Sequence, residues 1–137
     1  MTKPIDSFWF DLKLRHPHQD PADLGEALRI TPRLTLQKGN VYGPVTQESN
    51  FWLGRVCEGI TDDDFVESLD DFASLIRARG EFVQQFTGSG GQAELSMNQI
   101  IGQDDGVLFR LSLSFEFLKM CGDYGISLQV QAWSAED

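Results

Sequence analysis

The sequence predicts a single α+β domain, with a largely antiparallel sheet and one long and two or three short helices packed mainly on one face. Three observations predict this fold class. Apolar residues alternate with period two in several segments, they recur at helical spacing in one long segment, and glycine or proline separates the segments. A chain of 137 residues also lies in the usual size range of one domain, so residues 1–137 are taken as a single domain.

The N-terminal part predicts two or three strands and one short helix. Residues 8–15 alternate between apolar and polar side chains, which is typical of a half-buried strand. Asp20 and Pro21 then supply an N-cap acceptor and a first-turn proline for a short helix that ends near Arg29. One or two further strands are predicted: residues 51–57 form one, residues 33–36 are a candidate for a second, short one, and the segment 39–50 between them is an irregular loop.

The clearest helical pattern follows. Thr61 and Asp64 have the spacing of a capping box, and the following residues predict a helix over 62–78. Its apolar residues recur at helical spacing and are Phe65, Leu69, Phe72 and Ile76. After Gly80, the apolar residues Phe82, Val83 and Phe86 predict a second short helix, and residues 88–91 read as a flexible connector.

The C-terminal part predicts an antiparallel hairpin from residues 93–98 and 107–113. Ser114 is positioned to cap a short helix, which Gly122 is positioned to end. Alternating residues over 126–132 then predict a last strand.

The chain combines several short features: an aromatic-rich opening strand, Asp20-Pro21 with Leu24 and Leu28, the Ile30-Thr31-Pro32 corner, Trp52 in a strand, and a closing helix, Gly125 and strand. This combination resembles the small bacterial family known as Domain of Unknown Function 4279. The resemblance covers nearly the whole chain and implies the same α+β fold. Because that family has no settled activity, the resemblance implies no catalytic residue.

The composition bears on location and partners. A net charge of −10, from 21 acidic and 11 basic residues, disfavours binding to nucleic acid or an anionic membrane and favours a basic protein partner, although acidity also serves solubility. No apolar stretch is long enough for a spanning helix or a signal peptide, so we expect a soluble, cytoplasmic protein. Cys57 and Cys121 lack a CxxC partner and are interpreted as buried thiols.

The usual catalytic and cofactor motifs do not occur. His16 and His18 could reach a metal with Asp20, but the neighbouring prolines favour solvated loop residues. The Gly-rich segment 88–91 lacks the Lys-Ser/Thr of a P-loop and the spacing of a nucleophile elbow around Ser89. The sequence therefore assigns no catalytic, cofactor-binding or metal-binding residue, and whether the protein is an enzyme stays open.

Two groups of residues are candidates for an interaction surface. The first is an acidic stripe on the long helix, opposite its apolar side, formed by Asp63, Glu67, Asp70 and Asp71. The second lies on the open face of the sheet and consists of Trp9, Trp133, Gln129 and Gln131, beside Arg15 and Ser127. We expect the two tryptophans to be partly exposed there, in a mixed apolar and hydrogen-bonding surface suited to a partner or a small ligand.

Three functional hypotheses follow. The leading one is a non-catalytic interaction module that engages a protein partner, a basic one on charge grounds, as an immunity or accessory protein does. The second is a small-molecule-binding domain or enzyme with a site between the sheet and the 39–50 loop, with His16 or His18 as acid or base. The third is a homo-oligomeric structural unit assembled through strand edges or exposed tryptophans.

Overall fold

The structure is a computed structural model, and it describes residues 8–60, 62–101 and 113–134. The four helices of these residues are α1 (Ala22–Ala27), α2 (Asp62–Ala78), α3 (Gly80–Gly88) and α4 (Phe115–Asp123). The strands are β1 (Phe8–His16), β2 (Pro32–Leu36), β3 (Val41–Tyr42), β4 (Val45–Thr46), β5 (Asn50–Gly59), β6 (Gln92–Ile101) and β7 (Ile126–Ser134).

Five of these strands form one sheet in the order β2-β5-β1-β6-β7, and β3 and β4 form a separate two-stranded hairpin. The pairs β2–β5, β5–β1 and β1–β6 are antiparallel, whereas β6 and β7 run parallel. The crossover that joins a parallel pair includes α4, as parallel neighbours require a long connection. The predicted α+β domain with a largely antiparallel sheet is confirmed.

The core lies on one face of this sheet. Alternate residues of β1 are buried, and their cross-strand neighbours on β5 and β6 include Trp52 and Leu95, which are also buried. All four helices contribute to the same apolar cluster, so they cover one sheet face, and no described helix covers the other, which is here called the open face. The buried apolar residues of the helices, together with Leu28 just after α1, are Leu24, Leu28, Leu69, Phe72, Ala73, Ile76, Val83, Phe86, Phe117, Met120 and Cys121.

The long helix and its neighbours agree with the sequence patterns. The helix α2 has the predicted bounds of 62–78, and the ring of Phe65 meets those of Phe8 and Phe10 at centroid distances of 5.3 and 5.2 Å. The hydroxyl of Ser114 accepts a hydrogen bond from the Phe117 N–H at 3.1 Å, so the predicted cap of α4 is confirmed. The capping box at Thr61 lies outside the described residues.

Three sequence expectations differ from the structure. Residues 39–50 are not wholly irregular, because Gly43, at φ +63°, and Pro44 make a two-residue turn between β3 and β4. Gly122 lies inside α4, and the helix ends before Gly125, which takes a φ of +72° that favours glycine. The predicted hairpin pairs residues 93–98 with 107–113, but the two neighbours of β6 in the sheet are β1 and β7. Of the predicted second strand, only Leu113 is among the described residues, and it is not in a strand.

The end of α1 yields a stability prediction. Arg29 adopts a left-handed φ of +58°, and the N–H of Ile30 bonds the carbonyl of Gly25 at 3.1 Å, which is the helix-ending pattern that normally uses glycine. The side chain of Arg29 is exposed, so Arg29→Gly relieves backbone strain without loss of packing. We expect urea unfolding to show a stabilisation of about 0.5 to 1 kcal/mol, after the entropy gained by the unfolded chain is counted.

The control for this prediction is Arg77→Gly. Arg77 is also exposed but lies within the last turn of α2, where glycine costs roughly 1 kcal/mol of helix stability. The same substitution should therefore act with opposite sign at the two positions. If Arg29→Gly destabilises the protein as Arg77→Gly does, the strain argument is wrong.

Among the described residues, no helix combines the length and the apolar character needed to cross a membrane.

Candidate interaction surfaces

The acidic stripe of α2 lies where the helical pattern predicts it. The side chains of Asp63, Glu67, Asp70 and Asp71 are all exposed. They lie within one side of the helix, at about 100° per residue, opposite the side that carries the buried Leu69, Phe72 and Ile76. Within the described parts of the chain, none of the four makes a recorded ion pair or hydrogen bond.

The open sheet face carries the second predicted group. Trp9 is half-buried and Trp133 keeps 50% of its surface exposed, so the expectation of partly exposed tryptophans is confirmed. Trp9 is aligned with Asn98 on β6, which in turn is aligned with Gln131 on β7. Gln129 and Gln131 are half-buried beside them. The structure therefore gathers these four predicted residues on one face.

A polar network that the sequence did not reveal fixes this face. The indole N–H of Trp133 donates to Asn98 Oδ1 at 3.1 Å, and Asn98 Nδ2 donates to the carbonyl and the hydroxyl oxygens of Ser96, both at 3.3 Å. Asn98 and Ser96 are 4% and 2% exposed. Because each buried polar group is satisfied, the network holds the Trp133 ring in one orientation.

Charged residues continue the network beside Trp9. Arg55 Nε lies 2.7 Å from Asp11 Oδ1, and Arg55 Nη1 lies 3.2 Å from Glu58 Oε2. The same guanidinium lies 5.6 Å from the centroid of a Trp9 ring. Arg55 therefore occupies one side of Trp9, which leaves Trp133 as the more accessible tryptophan.

The two predicted groups lie on opposite sides of the domain. The stripe projects from the outer side of α2, which packs on the helix-covered face through Phe65, whereas Trp9 and Trp133 belong to the open face. A single flat partner surface cannot contact both groups at once. The structure thus divides the predicted interaction residues into two independent surfaces.

A depression of about 330 Å³ opens on the sheet face near the start of β6 and β7. Its lining includes Lys13, Arg15, Glu94 and Ser127. Arg15 and Ser127 were predicted to lie beside the two tryptophans, whereas Lys13 and Glu94 were not predicted site residues. The loop at 39–50 lines no part of this depression; its hairpin instead exposes Val41, Tyr42 and Val45. The sequence hypothesis had placed a small-molecule site beside that loop.

The prediction that His16 is a solvated loop residue is wrong, because His16 ends β1 and is only 2% exposed. Its Nδ1 accepts hydrogen bonds from the N–H groups of His18 and Gln19 at 3.0 and 2.9 Å. The proton of the neutral ring therefore lies on Nε2, which donates to Ser89 Oγ at 3.0 Å. His18, by contrast, is exposed as expected.

This geometry opposes a catalytic His16–Ser89 pair. Ser89 Oγ lies 3.2 Å from the carbonyl oxygen of Phe86, to which its hydroxyl proton is donated. A general base must accept the serine proton, but the Nε2 that faces Ser89 already carries one. Both ring nitrogens of His16 are also occupied, so neither is available to a metal, and the connector at 88–91 is tied to β1 through Ser89.

The two thiols lack the environment of a reactive cysteine. Cys121 is buried, as expected, and burial raises its pKa to about 11. Cys57 is half-buried rather than fully buried, and its pKa is also raised, mainly by burial and despite a hydrogen bond with Ser68. Both side chains are therefore protonated at neutral pH, where the thiol is a poor nucleophile.

No family model matches the chain, and no curated protein or solved structure matches it either, so the resemblance to Domain of Unknown Function 4279 stays a prediction.

Proposed function

We propose that this chain is a non-catalytic interaction module that binds a basic segment of a protein partner through the acidic stripe of α2. The observation that carries the proposal is the exposure of four carboxylates on one side of one helix, at Asp63, Glu67, Asp70 and Asp71. In the described ranges these carboxylates have no basic side chain within ion-pair distance.

The stripe lowers the stability of the isolated protein. Asp63 and Glu67, and Glu67 and Asp71, stand four residues apart, and like charges at that spacing cost about 0.2 to 0.5 kcal/mol per pair. Only Asp63 lies in the first turn, where the helix dipole offsets the repulsion. Some carboxylates elsewhere are paired with a basic side chain, for example Asp11 with Arg55 and Asp123 with Lys119. A cationic partner would convert this repulsion into attraction.

The charge of the whole chain supports the same kind of partner. A net charge of −10 steers a basic protein toward the domain at long range and repels an acidic one. Such attraction is screened over about 10 Å at 0.1 M salt, so binding through the stripe is expected to be sensitive to salt.

The test compares two triple variants that change the net charge equally. In the first, Asp63→Lys, Glu67→Lys and Asp70→Lys reverse the stripe. In the control, Glu26→Lys, Glu48→Lys and Glu116→Lys reverse three exposed carboxylates outside it. A protein that co-purifies with the wild type at low salt and dissociates at high salt should lose affinity at least tenfold for the stripe variant only. Equal losses of affinity for both variants would show that binding depends on the overall charge of the protein and not on the stripe.

The open sheet face is the second candidate for the partner surface, favoured by the half-exposed Trp133 and its fixed orientation. Tryptophan is enriched among residues that dominate binding energy. If the captured partner binds the stripe variant normally but is lost from Trp133→Ala, the interaction module uses the sheet face instead. If neither variant weakens binding, both surfaces are wrong.

A further inference from the structure

The depression on the open face is built from two rows of residues across three strands. Lys13, Glu94 and Ser127 are aligned in one row across β1, β6 and β7. Arg15 and Gln92 are aligned in the next row, which Gly125 adjoins just before β7 begins. Because Gly125 has no side chain, that row is open at one end, and a depression of about 330 Å³ results. That size suits a small ligand.

Arg15 supplies a preorganised guanidinium. Its Cζ lies 4.5 Å from the centroid of the Phe51 ring, and Phe51 is only 8% exposed although it lies on the open face. Stacking of this kind limits the motion of the arginine side chain. Among the described residues no acceptor for the N–H groups of Arg15 is recorded, so its fork is free to bind a carboxylate through two parallel hydrogen bonds.

Lys13 and Glu94 add one charge of each sign. Lys13 Nζ lies 4.0 Å from Glu94 Oε2 and 3.5 Å from Gln129 Oε1, both longer than a strong charge-assisted hydrogen bond. Both side chains are partly exposed, at 31% and 38%. The depression thus combines two cations with one anion, on a protein whose net charge is −10.

This charge arrangement selects against simple ions. An anion that binds Arg15 meets repulsion from Glu94 and from the net negative charge of the protein, and a cation at Glu94 meets repulsion from Lys13 and Arg15. A molecule that carries both charges satisfies all three side chains, and the negative field of the protein does not repel it as a whole. Arg15 and Glu94 are diagonal neighbours, which are typically about 7 to 8 Å apart and somewhat closer at their β-carbons, so the two charges of the ligand need only a short chain between them.

We propose that this depression binds a small zwitterion of amino-acid chemistry, with its carboxylate on Arg15 and Lys13 and its ammonium group on Glu94. The site is separate from the acidic stripe of α2. Its test therefore stands or falls independently of the proposed protein partner.

The experiment is a titration of the full chain, followed by two-dimensional amide NMR, with three probes of equal chain length. ε-Aminocaproate carries both charges, caproate carries only the carboxylate, and hexylammonium carries only the ammonium group. We expect saturable shifts at the amides of Gln92, Gly125 and Ser127 with ε-aminocaproate, with a dissociation constant on the order of millimolar. The two half-probes should bind about tenfold more weakly.

Three variants assign the roles. Arg15→Gln should weaken ε-aminocaproate about tenfold or more, because the fork is lost. Glu94→Gln should make ε-aminocaproate and caproate bind alike. Ser127→Glu, at an exposed position, should block the carboxylate while leaving the stacking of Arg15 on Phe51 in place. The control, Arg33→Gln, removes an exposed arginine from β2, away from the depression.

Three results would overturn the proposal. The first is the absence of saturable shifts with ε-aminocaproate at these amides. The second is equal binding of caproate and ε-aminocaproate to the wild type, which would remove Glu94 from the site. The third is undiminished binding to both Arg15→Gln and Ser127→Glu. Thermal unfolding of each variant shows whether it is folded. If Arg15→Gln does not fold, Ser127→Glu still tests the proposal.

Discussion

Gly25→Ala is expected to destabilise the protein by about 3 kcal/mol, although alanine normally favours a helix. Gly25 lies in α1 against the indole of Trp52, and a β-carbon at this position would lie 2.5 Å from Trp52 Cε2 and closer still to Cζ2. Trp52 cannot move aside, because the other end of its ring already packs against Gly54, so closely that a β-carbon on Gly54 would lie 2.5 Å from Trp52 Cη2. The ring is also only 1% exposed. The substitution must therefore push α1 away from the sheet.

The matched control is Gly122→Ala. Gly122 lies in α4, and a β-carbon there would have no neighbouring atom of the described residues within 4 Å. Alanine should stabilise the protein by up to about 1 kcal/mol, so the same glycine-to-alanine substitution is expected to change the free energy of unfolding in opposite directions in the two helices. The measurement is urea unfolding of both variants. Stabilities of Gly25→Ala and Gly122→Ala that agree with each other would contradict the proposed clash.

A double variant assigns the effect to Trp52. Phenylalanine lacks the second, fused ring of the indole, which carries the Cζ2 that meets the new β-carbon, so Trp52→Phe loses packing but relieves the clash. We expect Gly25→Ala to cost at least 1 kcal/mol less in the Trp52→Phe background than in the wild type. Equal costs in the two backgrounds would place the strain elsewhere.

Local patterns in the sequence predicted the elements more successfully than their arrangement. The helix α2 was predicted with its observed bounds, because apolar residues such as Leu69 and Phe72 repeat over four turns. The hairpin of β3 and β4 was missed, because each strand has two residues and too few positions for alternation to show. The strand order β2-β5-β1-β6-β7 depends on contacts between distant segments, which no local pattern contains.

The candidate surfaces show the same limit. Alternation placed Trp9 and Trp133 on the open face correctly, since the period of two is a property of each strand alone. It gave no sign that Asn98 on that face is buried and bonded to Trp133, which lies on another strand and 35 residues further along the chain. Nor could it show that Arg15 stacks on Phe51, which is 36 residues further along the chain.

His16 is the residue whose role differs most from its sequence context. Pro17 follows it, which indicated a loop, yet its ring is buried against Phe86, at 5.1 Å between centroids, and bonded to Ser89. His16→Ala is expected to cost about 3 kcal/mol in urea unfolding, because it removes these contacts and leaves the N–H groups of His18 and Gln19 without an acceptor.

Two other variants isolate the cause. In His16→Asn, the side-chain oxygen can take the place of Nδ1 and accept the two N–H groups, so about half of the lost stability should return. His18→Ala removes an exposed ring and should change stability by no more than about 0.5 kcal/mol. A His16→Ala variant as stable as His18→Ala would show that the buried hydrogen bonds are unimportant.

The same contacts make stability depend on pH. Burial, with a smaller effect from the charge of His18, lowers the pKa of His16 below its usual value of 6.5. The folded protein therefore binds this proton less tightly than the unfolded chain does. The contribution of His16 is fully present above pH 6.5 and is lost as the pH falls below that value toward the lowered pKa of the folded state.

Urea unfolding at about pH 7.5 and about pH 5 measures this contribution. We expect the wild type to lose more free energy of unfolding between the two values than His16→Asn, because asparagine cannot bind the proton yet keeps the acceptor. Carboxylates affect both proteins alike, so they cancel in the comparison. Parallel pH dependences for the two proteins would mean that His16 takes up its proton without disturbing the hydrogen bonds that hold the end of β1.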